Sequence, residues 1–285
     1  MHLVSSNESL HVKVRPLVVR GLLALVRMAR ACVVFVHVPK TGGTSLGGVL
    51  RRQYRPTNTI HFSSLDKPLN EFEGIPYGER VRANLVWGHM HFGVDRWLPQ
   101  PTEYVTVLRD PVARVWSLYN YITREPRHPL HQEVVDSGMT LTEFVESDID
   151  LKQLENGQTR QLSGQQGMEV GREHLDLAIK NLRRCAVVGT TEQFDEGLIL
   201  MKRAFGWHTP IYLRRNVATD PQVPALASAI TMIQERNALD MALYAEALRI
   251  SVDAIRRQGT SFGREVRRLR KLNRIVSRIA SRAKR

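Results

Sequence analysis

The feature that most constrains the fold is the apolar run ACVVFVHV at residues 31–38. It is rich in β-branched side chains and ends at Pro39, which is typical of a strand buried on both faces of a sheet. A helical pattern follows, because apolar residues recur at three- and four-residue steps from Thr44 to Tyr54. A buried strand that leads directly into a helix is typical of a parallel sheet whose strands are joined by helices.

The same alternation continues along the chain, with apolar runs that predict strands and helical periodicity between and after them. The predicted strands are Thr59 to Phe62, Leu85 to Trp87, Tyr104 to Leu108 and Ala186 to Val188, and the predicted helices are Val112 to Thr123, His174 to Arg183, Glu196 to Phe205 and Ala225 to Gln258. The pattern predicts an α/β fold with a central parallel sheet flanked by helices on both faces.

Composition excludes several classes of protein. The 285 residues are 42% hydrophobic and 24% charged, with 13 Pro and 19 Gly, so the chain is neither disordered nor collagen-like. Two cysteines, Cys32 and Cys185, and ten scattered histidines give no disulfide scaffold and no metal-ligand spacing, so we expect reduced thiols and no metal. Arginines interrupt the apolar stretch from Pro16 to Val38, so we expect no membrane-spanning helix. No clear apolar core is followed by a small-residue cleavage site, so we expect no signal peptide. We expect a cytoplasmic location, with association at a membrane surface as the alternative.

Basic residues are concentrated at the carboxyl end. The net charge is +13, and residues 264–285 supply most of it through ten Lys or Arg against the single acid Glu265. One helical face of this tail carries Val266, Leu269, Asn273, Val276 and Ile279. We divide the chain into a basic segment (1–30), a domain (31–260) and the tail (261–285). We interpret the tail as a solvated basic helix on the domain, and the alternative is a surface helix that contacts an anionic membrane or polymer.

The segment PKTGGTS between the first strand and its helix is a candidate phosphate-binding loop. Such a loop presents main-chain N–H groups and a helix amino terminus to an anion, and Gly42 and Gly43 let the backbone approach it. Thr44 and Ser45 are placed to cap the helix and to donate hydroxyls, and Lys40 supplies a cation. The lysine precedes the glycines instead of directly preceding the hydroxyl residue, which argues against an ordinary ATPase or GTPase.

A second candidate site follows the strand Tyr104 to Leu108. Arg109 stands at its carboxyl end, where open α/β sheets bind ligands, and a guanidinium there can bind a phosphate through two hydrogen bonds. Asp110 and Pro111 fit the start of a helix. On that helix Ser117 shares a face with Arg114 and Tyr121, apart from the core face, and offers a hydroxyl to the same phosphate.

Together the two sites resemble a known family. PKTGGTS followed about seventy residues later by R-D-P-x-x-R-x-x-S is similar to the sulfotransferases that use 3′-phosphoadenosine-5′-phosphosulfate (PAPS). Among them, the chain most resembles the heparan sulfate 6-O-sulfotransferases and their bacterial relatives. The supporting segments are NGQTRQLSG (156–164), AIKNLRRCAVVGTTEQFDEGLILMKRAFG (178–206) and ERNALDMALYAEAL (235–248), and the resemblance covers residues 31–252 in order.

The resemblance implies the sulfotransferase fold, in which the central parallel sheet is P-loop-like. It also implies PAPS as donor, PAP as product and a hydroxyl acceptor, for which a glycan or glycolipid is the first choice. The residues that would bind the 5′-phosphosulfate are Lys40, Thr41, Gly42, Gly43, Thr44 and Ser45. Lys40 would neutralise charge on the leaving phosphate oxygen, and Arg109 and Ser117 would hold the 3′-phosphate. Gln158 and Arg160 match a family segment on the acceptor side and are candidates for contacts with acceptor or donor.

In-line sulfuryl transfer also needs a base that takes the proton from the attacking hydroxyl. Some relatives use a glutamate shortly after the phosphate loop, but no acid lies between Thr44 and Leu65. Gly88-His89 leaves a predicted strand at the edge that carries Lys40 and Arg109, and it is similar to the place where 6-O and 2-O sulfotransferases carry their catalytic histidine. We predict His89 as the base and His91 as its substitute, because residues two apart in an extended segment face the same side.

Other residues and functions have plainer interpretations. We interpret His37 as a structural strand residue, and Asp240 and Tyr244 as helix packing. The alternatives to glycan O-sulfation are a small-molecule alcohol sulfotransferase and a P-loop-like nucleotide kinase, and the misplaced lysine argues against the kinase. A pI of about 10.2 suggests nucleic-acid binding, but the charge lies mostly in the tail and no recognition motif appears, so we expect no nucleic-acid partner.

Overall fold

A computed structural model describes residues 31–63, 72–147, 149, 151–164, 167, 169–213 and 227–282. Its strands are β1 (Cys32–Val36), β2 (Thr59–Phe62), β3 (Leu85–Gly88), β4 (Thr102–Leu108) and β5 (Val187–Thr190). They form one sheet in the order β2-β3-β1-β4-β5, with every neighbouring pair parallel. The predicted central parallel sheet is confirmed. The basic segment 1–30 and the last three residues of the tail lie outside the described residues.

The helices of this part of the chain are α1 (Gly43–Gln53), α2 (Tyr77–Arg82), α3 (Pro111–Ile122), α4 (His131–Asp136), α5 (Leu141–Glu146), α6 (Leu151–Leu154), α7 (Gly157–Ser163), α8 (Arg172–Arg184), α9 (Phe194–Phe205), α10 (Ala227–Arg236), α11 (Ala238–Arg256) and α12 (Ser261–Arg282). Short 3-10 turns cover Pro56–Asn58 and Val94–Trp97.

Alternate side chains of β1 enter two different cores. Val34 and its neighbours on one face pack with Leu175 of α8 and Leu243 of α11. Phe35, on the other face, packs with Leu46 of α1 and with apolar residues of α9 and α12. Successive side chains of a strand point to opposite faces, so a strand buried on both faces needs helices on both. The prediction of helices on both faces is confirmed.

The ends of most predicted elements differ from the observed ones by one or two residues, and one predicted helix is divided in two. The fifth strand begins at Val187 and runs to Thr190, later than the predicted Ala186 to Val188. The long helix predicted from Ala225 to Gln258 is described from Ala227, since its first two residues lie outside the described part of the chain, and it is two helices with the break at Asn237. The side chain of Asn237 donates to the carbonyl oxygen of Ile233 and also to that of Leu154, 2.7 Å away, so it ties the break to a neighbouring segment. This competition for backbone partners is typical of asparagine and is not visible as apolar periodicity.

The basic tail forms α12 and packs against α9. Phe262, Val266 and Leu269 are buried in the core, and Asn273 is buried as well, so most of the predicted face is confirmed. Ile279, predicted on the same face, is instead 62% exposed. Within the described residues, no helix has the length and apolar content required to span a membrane.

Candidate active site

The loops after β1, β3 and β4 meet at one edge of the sheet. Val36 pairs with Gly88 of β3 on one side and with Thr106 of β4 on the other, so these strands end side by side. The main-chain N–H of His37 donates to the carbonyl oxygen of Gly88, 3.0 Å away, which continues the pairing into the loops. Ligands of open α/β sheets bind at this edge, where the strand order reverses around β1. Lys40, His89 and Arg109, predicted from separate motifs, therefore share one edge.

The phosphate loop has a fixed backbone conformation. Lys40 has a φ of 68° and Gly42 a φ of 88°, both in the left-handed region. The Thr41 hydroxyl donates to the carbonyl oxygen of Val38 at 2.8 Å and is fully buried, so it holds the loop closed. Only the main chain of Thr41 remains for the predicted donor contact.

Helix α1 starts at least two residues earlier than the capping prediction requires. Gly42 is its N-cap, without a side-chain cap, so Thr44 and Ser45 lie in the first turn and the prediction that they cap the helix is wrong. Glycine is suited to this N-cap position because it adopts the left-handed conformation without strain. The uncapped first turn leaves N–H groups directed out of the helix, and it contains no acid. Both features favour an anion at this helix terminus.

Lys40 lies in a partly buried, cation-rich environment. Its Nζ is 3.6 Å from the centroid of the Tyr121 ring on α3. Burial, and next the nearby Arg109 guanidinium, lower the pKa of Lys40 to about 8. A cation held partly desolvated beside another cation is stabilised when an anion binds between them.

Arg109 links the two predicted phosphate sites. Its guanidinium donates to the carbonyl oxygen of Lys40 at 3.2 Å, and burial is the main cause that lowers its pKa. Asp110 caps α3 by accepting from the N–H of Ala113 at 2.9 Å, and Pro111 is the first helical residue, as predicted. The arginine thus stands between the end of β4 and the phosphate loop.

The face of α3 that was predicted to bind phosphate is divided. Ser117 is half-buried and lies one turn before Tyr121, so it is on the side of the helix that meets Lys40. Arg114 is only 1% exposed and is directed into the protein, where it lies 3.9 Å from Asp240 and donates to the carbonyl oxygen of Gln153. Arg114 therefore does not share the solvent-accessible face with Ser117, contrary to prediction.

The orientation of His89 selects one ring tautomer. Its Nδ1 lies 3.2 Å from the carbonyl oxygen of His37, which only accepts, so Nδ1 carries the proton and Nε2 keeps its lone pair. Burial, and then the charges of His61 and Lys40, lower the pKa of His89, while the bond to His37 opposes them. The imidazole is therefore neutral at pH 7, with Nε2 available to accept a proton.

His37 contributes more than the structural strand role predicted for it. Its ring stacks on that of His89 with centroids 4.3 Å apart, and on Phe35 on the other side at 5.5 Å. A Cβ at Gly43 would overlap the His37 ring, at 1.6 Å from Nε2, so the start of α1 is packed directly on this ring. Burial lowers the pKa of His37 well below its ordinary value.

His91 meets a different set of groups from His89. It is buried near Arg160, and burial is the main cause that lowers its pKa to about 4. The charges of Arg160 and Lys152 contribute to that shift, whereas His61 and Lys40 act on His89. The two rings therefore have different charged neighbours, and His91 as the substitute base stays a prediction.

Helix α7, from the predicted acceptor-side segment, holds the loops that follow β1, β3 and β4. The Gln158 side chain makes two hydrogen bonds to the main chain of Arg109, each 3.0 Å long. One turn later, the Gln161 amide donates to the carbonyl oxygen of His37 at 2.9 Å and to that of Met90 at 2.8 Å. Arg160 is buried and donates to the carbonyl oxygen of Gly167. Both side chains are hydrogen-bonded within the protein. The contacts predicted for Gln158 and Arg160 with the acceptor or the donor stay predictions.

Gln161 was missed by the sequence analysis. Nothing in its local pattern distinguishes it from the other polar residues of the NGQTRQLSG segment. The Gln161 side chain donates to the carbonyl oxygen of His37, which also orients His89, so Gln161 is a positioning residue for that histidine.

Asp240 anchors α7, a larger role than the predicted helix packing. Its fully buried carboxylate accepts from the N–H groups of Gln158 and Thr159 and from the Thr159 hydroxyl, at 2.7 to 3.1 Å. In return, the Asn156 side chain accepts from the N–H groups of Leu239 and Asp240. The two helices therefore cap each other's amino termini, which joins two segments that are about eighty residues apart in sequence.

Tyr244 also reaches the site. Its hydroxyl donates to Glu192 at 2.8 Å, and the other carboxylate oxygen of Glu192 accepts from the N–H of Asp110 at 3.3 Å. Glu192 and Asp110 are the charges that favour the protonated Arg109, with Tyr244 as a smaller contribution. This group fixes the loop after β5 against the loop after β4.

Comparison with known proteins gives consistent matches. Human galactosylceramide sulfotransferase is 27% identical over 224 residues, which cover 70% of this chain and 52% of that protein. Heparan-sulfate 6-O-sulfotransferase 1 of chicken is 27% identical over 264 residues, covering 74% of this chain and 64% of the relative. The mouse enzyme of the same name is 28% identical over 265 residues, covering 74% and 63%. The chain thus spans between about half and two thirds of the length of these relatives.

A solved structure, that of mouse sulfotransferase SULT7A1 complexed with PAP, covers 78% of this chain and 93% of its own at 14% identity. Its TM-score of 0.30 is too low to support an argument. The family model of galactose-3-O-sulfotransferases matches residues 30–283, nearly the whole chain. That match agrees with the resemblance based on the phosphate loop and the R-D-P motif. The chain belongs to the galactose-3-O-sulfotransferase family.

Proposed function

We propose that this chain transfers a sulfuryl group from PAPS to a hydroxyl group of a glycan or glycolipid, with His89 as the general base. Family membership supports the reaction class, and the names of two relatives, a galactosylceramide and a heparan-sulfate sulfotransferase, support the acceptor class. The observation that carries the proposal is the oriented, neutral imidazole of His89 at the edge that also bears Lys40 and Arg109.

The anion site fits a phosphosulfate donor. Lys40, the first-turn N–H groups of α1 and the Arg109 guanidinium provide positive charge and donors from three directions, and the described residues of the loop itself bring no acid. The resemblance assigns the 5′ end of the donor to the loop and its 3′-phosphate to Arg109 and Ser117. The link between Arg109 and the Lys40 carbonyl oxygen keeps those two subsites at a fixed separation.

When bound, PAPS supplies a sulfuryl group that passes in line to the attacking hydroxyl oxygen, as the bond from sulfur to the phosphate oxygen breaks. His89 accepts the hydroxyl proton on Nε2 and becomes an imidazolium, with Nδ1–H still bonded to the His37 carbonyl oxygen. Lys40 stabilises the charge that develops on the leaving phosphate oxygen. The protein contributes mostly positioning and charge stabilisation, since neither step requires a covalent intermediate on the chain.

Ligand-induced thermal stabilisation tests the donor. PAP, ATP with Mg²⁺ and a DNA duplex are each added to the purified chain, and a ligand at a hundred times its Kd stabilises the folded state by about 2.7 kcal/mol. We expect stabilisation by PAP that is lost in Lys40→Ala and in Arg109→Ala. Arg172→Ala, an exposed cation at the start of α8, is the control and keeps it. If PAP does not stabilise the chain, stabilisation by ATP with Mg²⁺ would indicate a kinase, and stabilisation by DNA would indicate a nucleic-acid-binding protein.

Transfer of labelled sulfate from PAPS tests the acceptor. The chain is supplied with galactosylceramide, with desulfated heparan sulfate and with a panel of small alcohols. Labelling of either glycan acceptor supports the proposal. Labelling of the small alcohols alone would make this chain a small-molecule alcohol sulfotransferase.

A further inference from the structure

The outward face of α12 carries a continuous stripe of cations. Its members are all exposed and come from the described part of the tail: Arg264, Arg267, Arg268, Lys271, Arg274, Arg278 and Arg282. At 3.6 residues per turn they fall within an arc of about 120°, and the stripe is about 27 Å long. The opposite face of the helix is the one buried against the domain, through Phe262, Val266 and Leu269.

The acidic residues near this helix form ion pairs along its flanks. Glu265 pairs with Lys202 and Arg203 of α9, and Arg270 pairs with Asp195 and Glu196. No carboxylate of the described residues lies within ion-pair distance of the seven stripe cations. The charge of the stripe is therefore not neutralised by the described part of the chain.

Two exposed isoleucines lie at one edge of the stripe. Ile275 is 42% and Ile279 is 62% exposed, and their spacing of four residues makes them neighbours on the helix surface. By the same helical geometry Ile275 projects between Arg268 and Arg278, and Ile279 lies about 20° beyond Arg268, between the stripe and the buried face. Exposed isoleucine is unfavourable in water, and it becomes favourable when the side chain enters the boundary between lipid headgroups and acyl chains.

We propose that the outward face of α12 binds an anionic lipid surface, with the cations at the headgroups and Ile275 and Ile279 inserted below them. A soluble anionic polymer pairs with the same cations but leaves the two isoleucines in water, so the apolar pair favours lipid. The attraction of several cations near one anionic surface adds up and weakens with ionic strength.

Co-sedimentation of the full chain with vesicles tests the proposal. The vesicles contain phosphatidylcholine with phosphatidylserine, and vesicles of phosphatidylcholine alone provide the neutral comparison. The test variant combines Arg267→Gln, Arg268→Gln, Lys271→Gln, Arg274→Gln and Arg278→Gln, since glutamine keeps the helix propensity. The control variant loses the same number of charges at exposed cations outside α12. Its substitutions are Arg55→Gln, Arg82→Gln, Arg172→Gln, Lys180→Gln and Arg257→Gln.

We expect binding to the phosphatidylserine vesicles alone, reduced by at least about a hundredfold in the α12 variant and far less in the control of equal charge. The double variant Ile275→Ser/Ile279→Ser separates lipid from polymer. It should weaken vesicle binding about tenfold and leave binding to heparin unchanged.

Three results would overturn the proposal: no binding of the parent chain to anionic vesicles, equal losses in the two fivefold variants, or unchanged vesicle binding in the isoleucine variant. Binding to heparin without binding to vesicles would assign the stripe to a polymeric anion instead. Unchanged thermal unfolding of each variant shows that the comparison concerns the surface and not the fold.

Discussion

The Nδ1 atom of His89 lies 3.2 Å from the main-chain carbonyl oxygen of His37. The same oxygen accepts a hydrogen bond from the side chain of Gln161, 2.9 Å away. A carbonyl oxygen with two fixed donors holds the imidazole ring in one plane and in one tautomer. The site thus presents a neutral nitrogen, Nε2, beside a cation-rich loop.

The pH dependence of kcat/KM should be bell-shaped, because it reports groups of the free enzyme. His89 works as a neutral base, and its pKa is lowered, so activity should fall only as the pH drops below about 6.5. Lys40 works as a cation with a pKa of about 8, so activity should also fall as the pH rises past about 8. Initial rates at subsaturating PAPS between pH 5 and pH 10 measure both limbs.

The alkaline limb has its own control. Lys40→Arg keeps a cation at every pH of the assay, so the limb near pH 8 should disappear even if the overall rate is lower. An unchanged alkaline limb in Lys40→Arg would show that another group titrates there.

Gln161→Ala should lower kcat by roughly ten- to a hundredfold, because the His37 carbonyl oxygen loses one of its two donors and His89 is less well aligned. Affinity for PAP should stay the same. Gln158→Ala, one turn earlier on α7, removes the bonds to Arg109 and should weaken PAP binding more than it lowers kcat. Equal effects of both variants on both constants would mean that α7 acts only through overall stability.

Gly43→Ala should destabilise the protein by about 1–3 kcal/mol and lower activity, because the new methyl group displaces the His37 ring that stacks on His89. Gly48→Ala is the matched change in the same helix. Its Cβ would meet only the end of Arg52, at 3.9 Å, so we expect up to about 1 kcal/mol of stabilisation. Chemical denaturation of the two variants measures the difference, and a similar free energy of unfolding for both would contradict this packing.

Asp240→Ala should cost about 3–5 kcal/mol of stability, because it removes the cap of α7 and leaves the buried charge of Arg114 without this carboxylate. Asp253→Asn, which removes an exposed ion pair with Arg249 on the same helix, should change the free energy of unfolding by less than about 1 kcal/mol. A loss below about 1 kcal/mol in Asp240→Ala would show that α7 is held by other contacts.

The sequence predicted the parts of the site that depend on strand ends. Lys40, His89 and Arg109 each follow a short apolar run, and parallel strands place such residues at one edge. The sequence also predicted the helix start at Asp110 and Pro111, because N-capping involves only residues close in sequence.

The sequence did not predict contacts between distant segments. Gln161 and Asp240 act on groups more than seventy residues away, and no periodicity or spacing records such partners. Arg114 was misassigned because its helical face is exposed near Tyr121 but covered by α7 and α11 two turns earlier. Ile279 was misassigned because the core contact of α12 ends before the helix does.

The most direct test compares His89→Ala with His91→Ala in the transfer of labelled sulfate from PAPS, with PAP affinity measured beside it. We predict that His89→Ala loses transfer by about a factor of 10³ while its affinity for PAP stays within about threefold of the parent. His91→Ala should keep transfer, since its ring lies among a different set of groups. Substantial transfer by His89→Ala, or its loss in His91→Ala alone, would contradict the assignment of His89 as the base.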